Sequence, residues 1–209
     1  WAAGGGGGIG NPWWWAPPAN IFTYAGGDAN APTVTADADV GLNVVWNVPV
    51  GGDVMRILYK TLSNPAGDFE FIYHDEALNN NINFATPIVG IGDFTKNYRI
   101  FVNQYNNGLG YGDFRFKFGY NGGGGGTNFL GTGNATWNVH TRFKKTGGNF
   151  EIAQSHDGKF WTVMWTGTIA ANFGGVNPDH VCFGVSYNRG TGFPIVQNVD
   201  RFSLTGTAV

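Results

Sequence analysis

The sequence predicts an all-β protein built as a sandwich or barrel of antiparallel strands, and three observations carry this. Of 209 residues 35 are Gly and 16% are aromatic, while only 12% are charged. Charged helix formers are scarce, with three Glu in the whole chain. From Ile21 onward, apolar and polar residues alternate with period two in short runs at roughly 8–15-residue spacing, separated by Gly and Asn turns. The same composition excludes disorder along the whole chain, which goes with few aromatics and much charge. It excludes collagen, because the glycines have no period of three. No blade-length repeat is visible, which argues against a propeller.

The elements follow in chain order. Residues 1–20 form a separate segment, and residues 21–209 the expected sandwich. Gly4–Gly8 gives a flexible tether, and Pro12, Pro17 and Pro18 bias the following strap to extended backbone. Trp13, Trp14 and Trp15 cannot all hide on one side of an extended chain, because successive side chains alternate. Their cover is either the chain's own domain or another subunit, and we expect at least one to contact a second chain in a homo-oligomer. The chain starts at Trp1. A removed leader, a missing portion or an incomplete sequence would each account for that.

Strands are expected at 42–48, 55–60, 69–73, 86–91, 98–105, 112–118, 136–145, 148–155, 161–168, 181–187 and 196–205. Phe114, Phe116 and Phe118 share one face of the 112–118 run, opposite Asp113, Arg115 and Lys117. One short helical turn fits 169–174. Asn121–Gly133, with Gly122–Gly126 in a row, is expected as a long flexible spacer loop. The single cysteine, Cys182, reads as a small buried apolar residue in Val181–Val185.

Residues 137–168 carry the most specific signal. Arg142-Phe143-Lys144-Lys145-Thr146-Gly147 leads through Phe150 to Ser155-His156-Asp157-Gly158-Lys159-Phe160-Trp161-Thr162. These residues read as three strands joined by two hairpins, the second with Asp-Gly turn chemistry. The run resembles the concanavalin A-like lectin/glucanase superfamily in its laminin-G-like branch. Val199-Asp200-Arg201-Phe202-Ser203-Leu204 is similar to the final strand of such domains, which returns beside the first. The resemblance implies a jelly-roll of two antiparallel sheets used to bind glycans. A glycine tether, a Trp/Pro strap and a laminin-G-like domain together resemble the appendage proteins of phage virions, such as fibres and capsid decorations.

Catalytic motifs do not follow. Glucanases of that superfamily set two Glu around an Asp on one strand, aiming all three at a cleft. Here Glu70, Glu76 and Glu151 each lack the second carboxylate two residues on. Ser155-His156-Asp157-Gly158 is similar to a sialidase Asp-box, but the glycine comes one residue early and the box occurs once; a hairpin turn is the expectation, with Trp161 in the core. His74, His140, His156 and His180 have no zinc-binding spacing. No cofactor is implied; Asp37-Ala38-Asp39 keeps calcium open without the bidentate Glu of an EF-hand.

Net charge −2 offers no basic surplus for a phosphate backbone, so nucleic acid is not an expected partner. No stretch reaches the ~20 apolar residues of a membrane helix, so membrane insertion is not expected. The leading expectation is a non-enzymatic virion surface protein: a capsid decoration or fibre/tail appendage with a glycan-binding domain, attached through the strap. Its localisation would be the virion surface or the extracellular space, and its ligand a glycan or cell-surface polysaccharide. The alternative is a secreted carbohydrate-binding module of a larger enzyme; a glycoside hydrolase using Glu70 or Glu151 ranks last. For the ligand site, Tyr105, Asn106, Asn107 and Tyr111 combine stacking rings with amide hydrogen-bonding groups in one turn.

Overall fold

A computed structural model describes residues 22–26, 31–37, 41–47, 54–78, 85–95, 98–106, 112–120, 128–134, 139–187 and 194–209. Two seven-stranded sheets hold these residues. The first runs, edge to edge, β1 (Thr23–Gly26), β4 (Val54–Thr61), β13 (His180–Tyr187), β6 (Ala85–Gly92), β7 (Tyr98–Asn106), β8 (Gly112–Tyr120) and β9 (Asn128–Asn134). The second runs β12 (Thr162–Thr168), β11 (Asn149–Ser155), β10 (His140–Thr146), β5 (Phe69–Leu78), β14 (Ile195–Gly206), β3 (Gly41–Trp46) and β2 (Thr33–Asp37). Neighbouring strands are antiparallel throughout. The result is a jelly-roll β-sandwich whose described helix content is one short element, α1 (Ile169–Asn172), capped by the Thr168 hydroxyl accepting from Ala171 N–H.

Period-two patterning decides which side chains meet. Phe69, Phe71 and Tyr73 of β5, Phe143 of β10, Phe150 and Ile152 of β11 and Phe202 of β14 face Leu58, Val89, Ile91, Ile100, Val102, Val181, Phe183 and Val185 of the first sheet. Phe71 stacks on Phe143 at 5.9 Å, and Tyr73 meets Phe183 across the sandwich at 5.3 Å between ring centroids. Phe22, just before β1, packs edge-on against both Phe183 and Phe202, closing one flank. Burial of so much aromatic area is the main stabilising term. Two polar groups complete the interior. The buried Lys145 Nζ donates to the carbonyls of Ala66 and Gly67 at 2.9 and 2.8 Å, fixing the loop before β5. Trp46 Nε1 donates to Gln197 Oε1 at 2.7 Å, and Gln197 Nε2 donates to Asp75 Oδ2 at 3.0 Å.

Two expectations, the 121–133 spacer and the core position of Trp161, need correction. The spacer expected over 121–133 is shorter, because Asn128–Asn134 is strand β9, pairing with β8; its glycines hid an edge strand that needs only one packed face. The closing strand β14 lies between β5 and β3, beside the first strand expected from sequence (42–48), while β1, which was not expected, hydrogen-bonds to β4 in the opposite sheet. Trp161 belongs to neither apolar cluster; it is half-buried on the outside. β14 also carries a bulge, with Val199 opposite Asp75 and Arg201 opposite His74. The 112–118 strand is found as β8, with Phe116 in register with Val102 and Phe118 with Ile100; its side chains lie outside the described residues.

Candidate functional site

The described residues with the richest surface chemistry lie on the outer face of the second sheet, where β10, β11 and β12 run side by side. In β10, residues 141, 143 and 145 are buried, so His140, Arg142, Lys144 and Thr146 point outward. In register beside them stand Ser155, Ala153, Glu151 and Asn149 of β11, then Thr166 and Thr168 of β12. Lys144, Thr146, Asn149, Glu151, Thr166 and Thr168, together with Gly167 and Phe150, line an open groove of about 530 Å³. Hydroxyl, amide and charged groups project from a rigid three-stranded platform, an arrangement suited to hydrogen-bonding a polyhydroxylated ligand.

One end of this face is aromatic. Phe160 is 81% exposed, an unusual state for a large apolar ring, and Trp161 follows it. The Arg142 guanidinium lies 4.8 Å from the centre of the Trp161 ring. That guanidinium also pairs with Glu151 and, at 3.9 Å, with Glu70. The two carboxylates ranked as candidates for hydrolysis are therefore bridged by one cation.

The turn between β11 and β12 is held by its own side chains. Asp157 Oδ1 accepts from Lys159 N–H at 2.8 Å, Phe160 N–H at 3.0 Å and the Ser155 hydroxyl at 2.9 Å. The backbone N–H groups of Phe160 and Lys159 and the Ser155 hydroxyl bring the Asp157 carboxyl down to about 2. Ser155 Oγ in turn accepts from Gly158 N–H at 2.9 Å, so both of its hydrogen bonds serve the turn and it is not poised against a histidine as a nucleophile. Gly158 packs against the Arg201 guanidinium and the His140 ring, and its φ of +68° is left-handed backbone that favours glycine. The box-like motif is thus a turn that places Phe160 and Trp161.

Beneath this turn, His74 and His140 stack at 4.3 Å, and His74 Nδ1 is 2.6 Å from Asp200 Oδ1. Burial lowers His140 to about 4, with the charges of His74 and Arg201 acting in the same direction. Burial also opposes protonation of His74, but the hydrogen bond and charge of Asp200 outweigh it and its pKa is raised. In the interior, burial raises Asp75 to about 6 despite the Gln197 hydrogen bond.

Two of the expected ligand residues lie on the other sheet. Tyr105 and Asn106 lie on β7 of the opposite sheet, in register with Asp113 and Gly112. Asn107 and Tyr111 lie outside the described residues, as do Trp13, Trp14, Trp15 and the 38–40 part of the aspartate-rich turn. Among the described residues, no group of three His, Cys, Asp or Glu could hold a metal ion. Sequence reasoning missed Phe160. The available signal was its adjacency to Trp161, since two consecutive residues of an extended chain cannot both enter one core.

No family model and no curated protein matches the chain. Solved structures do. A Bacteroides ovatus mixed-linkage-glucan GH16 protein in complex with a G4G4G3G product shares 10% identity, covering 92% of this chain and 98% of that one, with a TM-score of 0.57. Alginate lyase A1-II', of polysaccharide lyase family 7, shares 13% identity over 84% of each chain at a TM-score of 0.55. The CBM2 module of the evolved Dit of Lactobacillus casei BL23 phage J-1 shares 15% identity, covering 74% of this chain and 70% of that one, at a TM-score of 0.50. The fold is therefore a concanavalin A-like jelly-roll.

Proposed function

We propose that this chain is a non-enzymatic carbohydrate-binding β-sandwich displayed on a virion surface, as a capsid decoration or a fibre/tail appendage. The carrying observation is the outer face of the second sheet: an open polar groove near the β10–β11 hairpin and, toward the other end of the same strands, the exposed Phe160 and the Arg142-backed Trp161. Sugars stack their C–H faces on aromatic rings while their hydroxyls take hydrogen bonds from amide and hydroxyl groups, and this face offers both. Structural neighbours whose names give a glucan hydrolase, an alginate lyase and a phage carbohydrate-binding module support the carbohydrate reading. The last of them supports the virion setting. The bridging of Glu70 and Glu151 by Arg142 supports binding without turnover.

Attachment to the particle falls to residues 1–20, and the ligand is a host cell-surface polysaccharide. A glycan array tests the binding face. Phe160→Ala and Trp161→Ala each remove a stacking ring and reduce binding by about tenfold, for a typical 1–2 kcal/mol ring contribution. Tyr105→Ala and Tyr111→Ala should leave it intact; loss with these two and retention with the first pair would move the site to the opposite sheet. Release of reducing ends from bound glucans would refute the non-enzymatic reading. Immunogold imaging of purified particles tests the setting, since a chain found only free in extract is not a virion protein.

A further inference from the structure

Beneath the turn between β11 and β12 lies a row of side chains that the binding groove does not use. Register sets Arg201 of β14 beside His74 of β5, and His140 of β10 beside Ser155 of β11. The stacked rings of His74 and His140 join the two pairs. The turn closes over the row, because a Cβ at Gly158 would lie 2.4 Å from Arg201 Nη1 and 3.3 Å from His140 Cδ2. Hydrogen bonding across the row is incomplete. Asp200 is taken by His74 Nδ1. His140 Nδ1 and Arg201 Nη1 are buried and have no hydrogen-bond partner among the described residues. Buried polar atoms are nearly always satisfied, so two such nitrogens under one turn need a reason.

We propose that this cluster is an acid-operated latch: protonation of His140 frees the 155–161 turn, and with it the placement of Phe160 and Trp161. A proton on each stacked ring sets like charges 4.3 Å apart, with the Arg201 guanidinium under the same glycine. The facing charges come from four elements. β14 gives Asp200 and Arg201, and β5 gives His74, flanked by Asp75 and Glu76. β10 gives Arg142, which Glu151 and Glu70 already hold. The turn gives Asp157, whose carboxylate is committed to the Lys159 and Phe160 N–H groups and the Ser155 hydroxyl. Among the described residues, each carboxylate near His140 thus has a partner that it would have to leave. Burial, aided by the charges of His74 and Arg201, keeps His140 neutral down to about 4 in the closed turn, against 6.5 when released. The closed turn is therefore favoured above 6.5 and loses that advantage as pH falls toward 4. Asp157 titrates at about 2, below this window, and the His74–Asp200 contact joins β5 to β14 without involving the turn. Release of a bound glycan by acid would follow and rests on the proposed function; the opening of the turn does not.

Hydrogen–deuterium exchange of the full-length chain, without ligand, tests the latch. The Gly158, Lys159 and Phe160 N–H groups each donate within the turn, so a peptide covering 156–161 reports its closure. After correction for intrinsic exchange, its protection should fall about tenfold or more from pH 7 to pH 5, while that of 69–73 in β5 stays unchanged. His140→Gln, neutral at every pH, should flatten the 156–161 profile although the exposed His156 still titrates. A flat wild-type profile, or a fall shared equally by 69–73, would overturn the proposal. Wild-type pH dependence retained in His140→Gln would also overturn it, because another group would then be the sensor. A measurement on the unaltered chain stands beside the variant: histidine-resolved NMR should find the His140 ring still neutral at pH 5, and a ring already protonated at pH 6 would refute the latch. Acid opening in a chain that binds no glycan at any pH would keep the latch and count against the carbohydrate reading alone.

Discussion

Two glycines test whether the fold constrains them through space or through backbone conformation. Gly184 lies in the middle of β13, hydrogen-bonded between β4 and β6. A Cβ there would sit inside contact distance of the Arg56 carbonyl oxygen and 2.8 Å from the Ile57 Cα. Both obstacles are backbone of a central strand, so relief requires β4 to move. Overpacking of this kind costs about 1–3 kcal/mol when side chains can yield, and we expect the upper end or beyond, about 3 kcal/mol. Gly147, in the β10–β11 turn, has φ +55° with nothing within 4 Å of an added Cβ. Gly147→Ala therefore pays only for left-handed backbone, about 1 kcal/mol. Urea denaturation of both variants measures the difference, and melting should drop by about 6–12 °C for Gly184→Ala against about 2–4 °C for Gly147→Ala. If Gly147→Ala proves the more damaging, the close approach of β13 to β4 is wrong and conformation, not space, selects these glycines.

Phe143→Ala removes a fully buried ring stacked on Phe71 and should cost about 3–5 kcal/mol in chemical denaturation, a loss below about 1 kcal/mol being inconsistent with a core position. Asp75 makes stability depend on pH. Its folded pKa, raised to about 6, lies above its unfolded value of 3.8, so its contribution is full below 3.8 and is lost as pH rises through 6. At pH 7 and above the ionised form costs on the order of 3 kcal/mol, and Asp75→Asn should flatten this part of the stability–pH curve. His140 has the opposite sign. Its folded pKa of about 4 lies below the unfolded 6.5, so its stability is present above 6.5 and lost as pH falls toward 4; His140→Gln should remove that acid loss. Lys145→Met keeps the aliphatic stem but leaves the Ala66 and Gly67 carbonyls without their donor, and should cost about 1–3 kcal/mol with faster proteolysis at 62–68.

Legibility in the sequence followed alternation. Phe69-Glu70-Phe71-Ile72-Tyr73 and Phe143-Lys144-Lys145 sit on strands because one face of each must be apolar, and the two hairpins of 140–168 formed where Gly-Gly and Asp-Gly allowed. β1, β2 and β9 were not legible: Thr23-Tyr24-Ala25-Gly26, Thr33-Val34-Thr35-Ala36-Asp37 and Asn128–Asn134 are short edge or near-edge strands with few apolar residues. Lys145 misled in a different way, as a cation on the inward face that only its two carbonyl partners explain. The groove was out of reach because its hydroxyls come from three strands, each an ordinary outward threonine until register places them together. Phe160 hid inside a turn motif whose hydrogen bonds all belong to Ser155 and Asp157.

The bulge in β14 divides that strand into two stretches counted in opposite phase. Before it, the odd positions Ile195, Gln197 and Val199 are buried; after it, the even position Phe202 is, with Leu204 packed beside it. Asp200 is the residue that resets the count. Its side chain is partly exposed, and substitution there removes the His74 contact while leaving the backbone count unchanged. Straightening the bulge with Asp200 retained is a different event: strict alternation from Val199 would then carry Arg201 and Ser203 toward the interior and turn Phe202 and Leu204 outward, whereas deleting Asp200 removes the extra residue and leaves Phe202 and Leu204 facing inward. What this strand must keep is thus the phase of its two stretches: the bulge and its extra residue can be present together or absent together, but not one without the other.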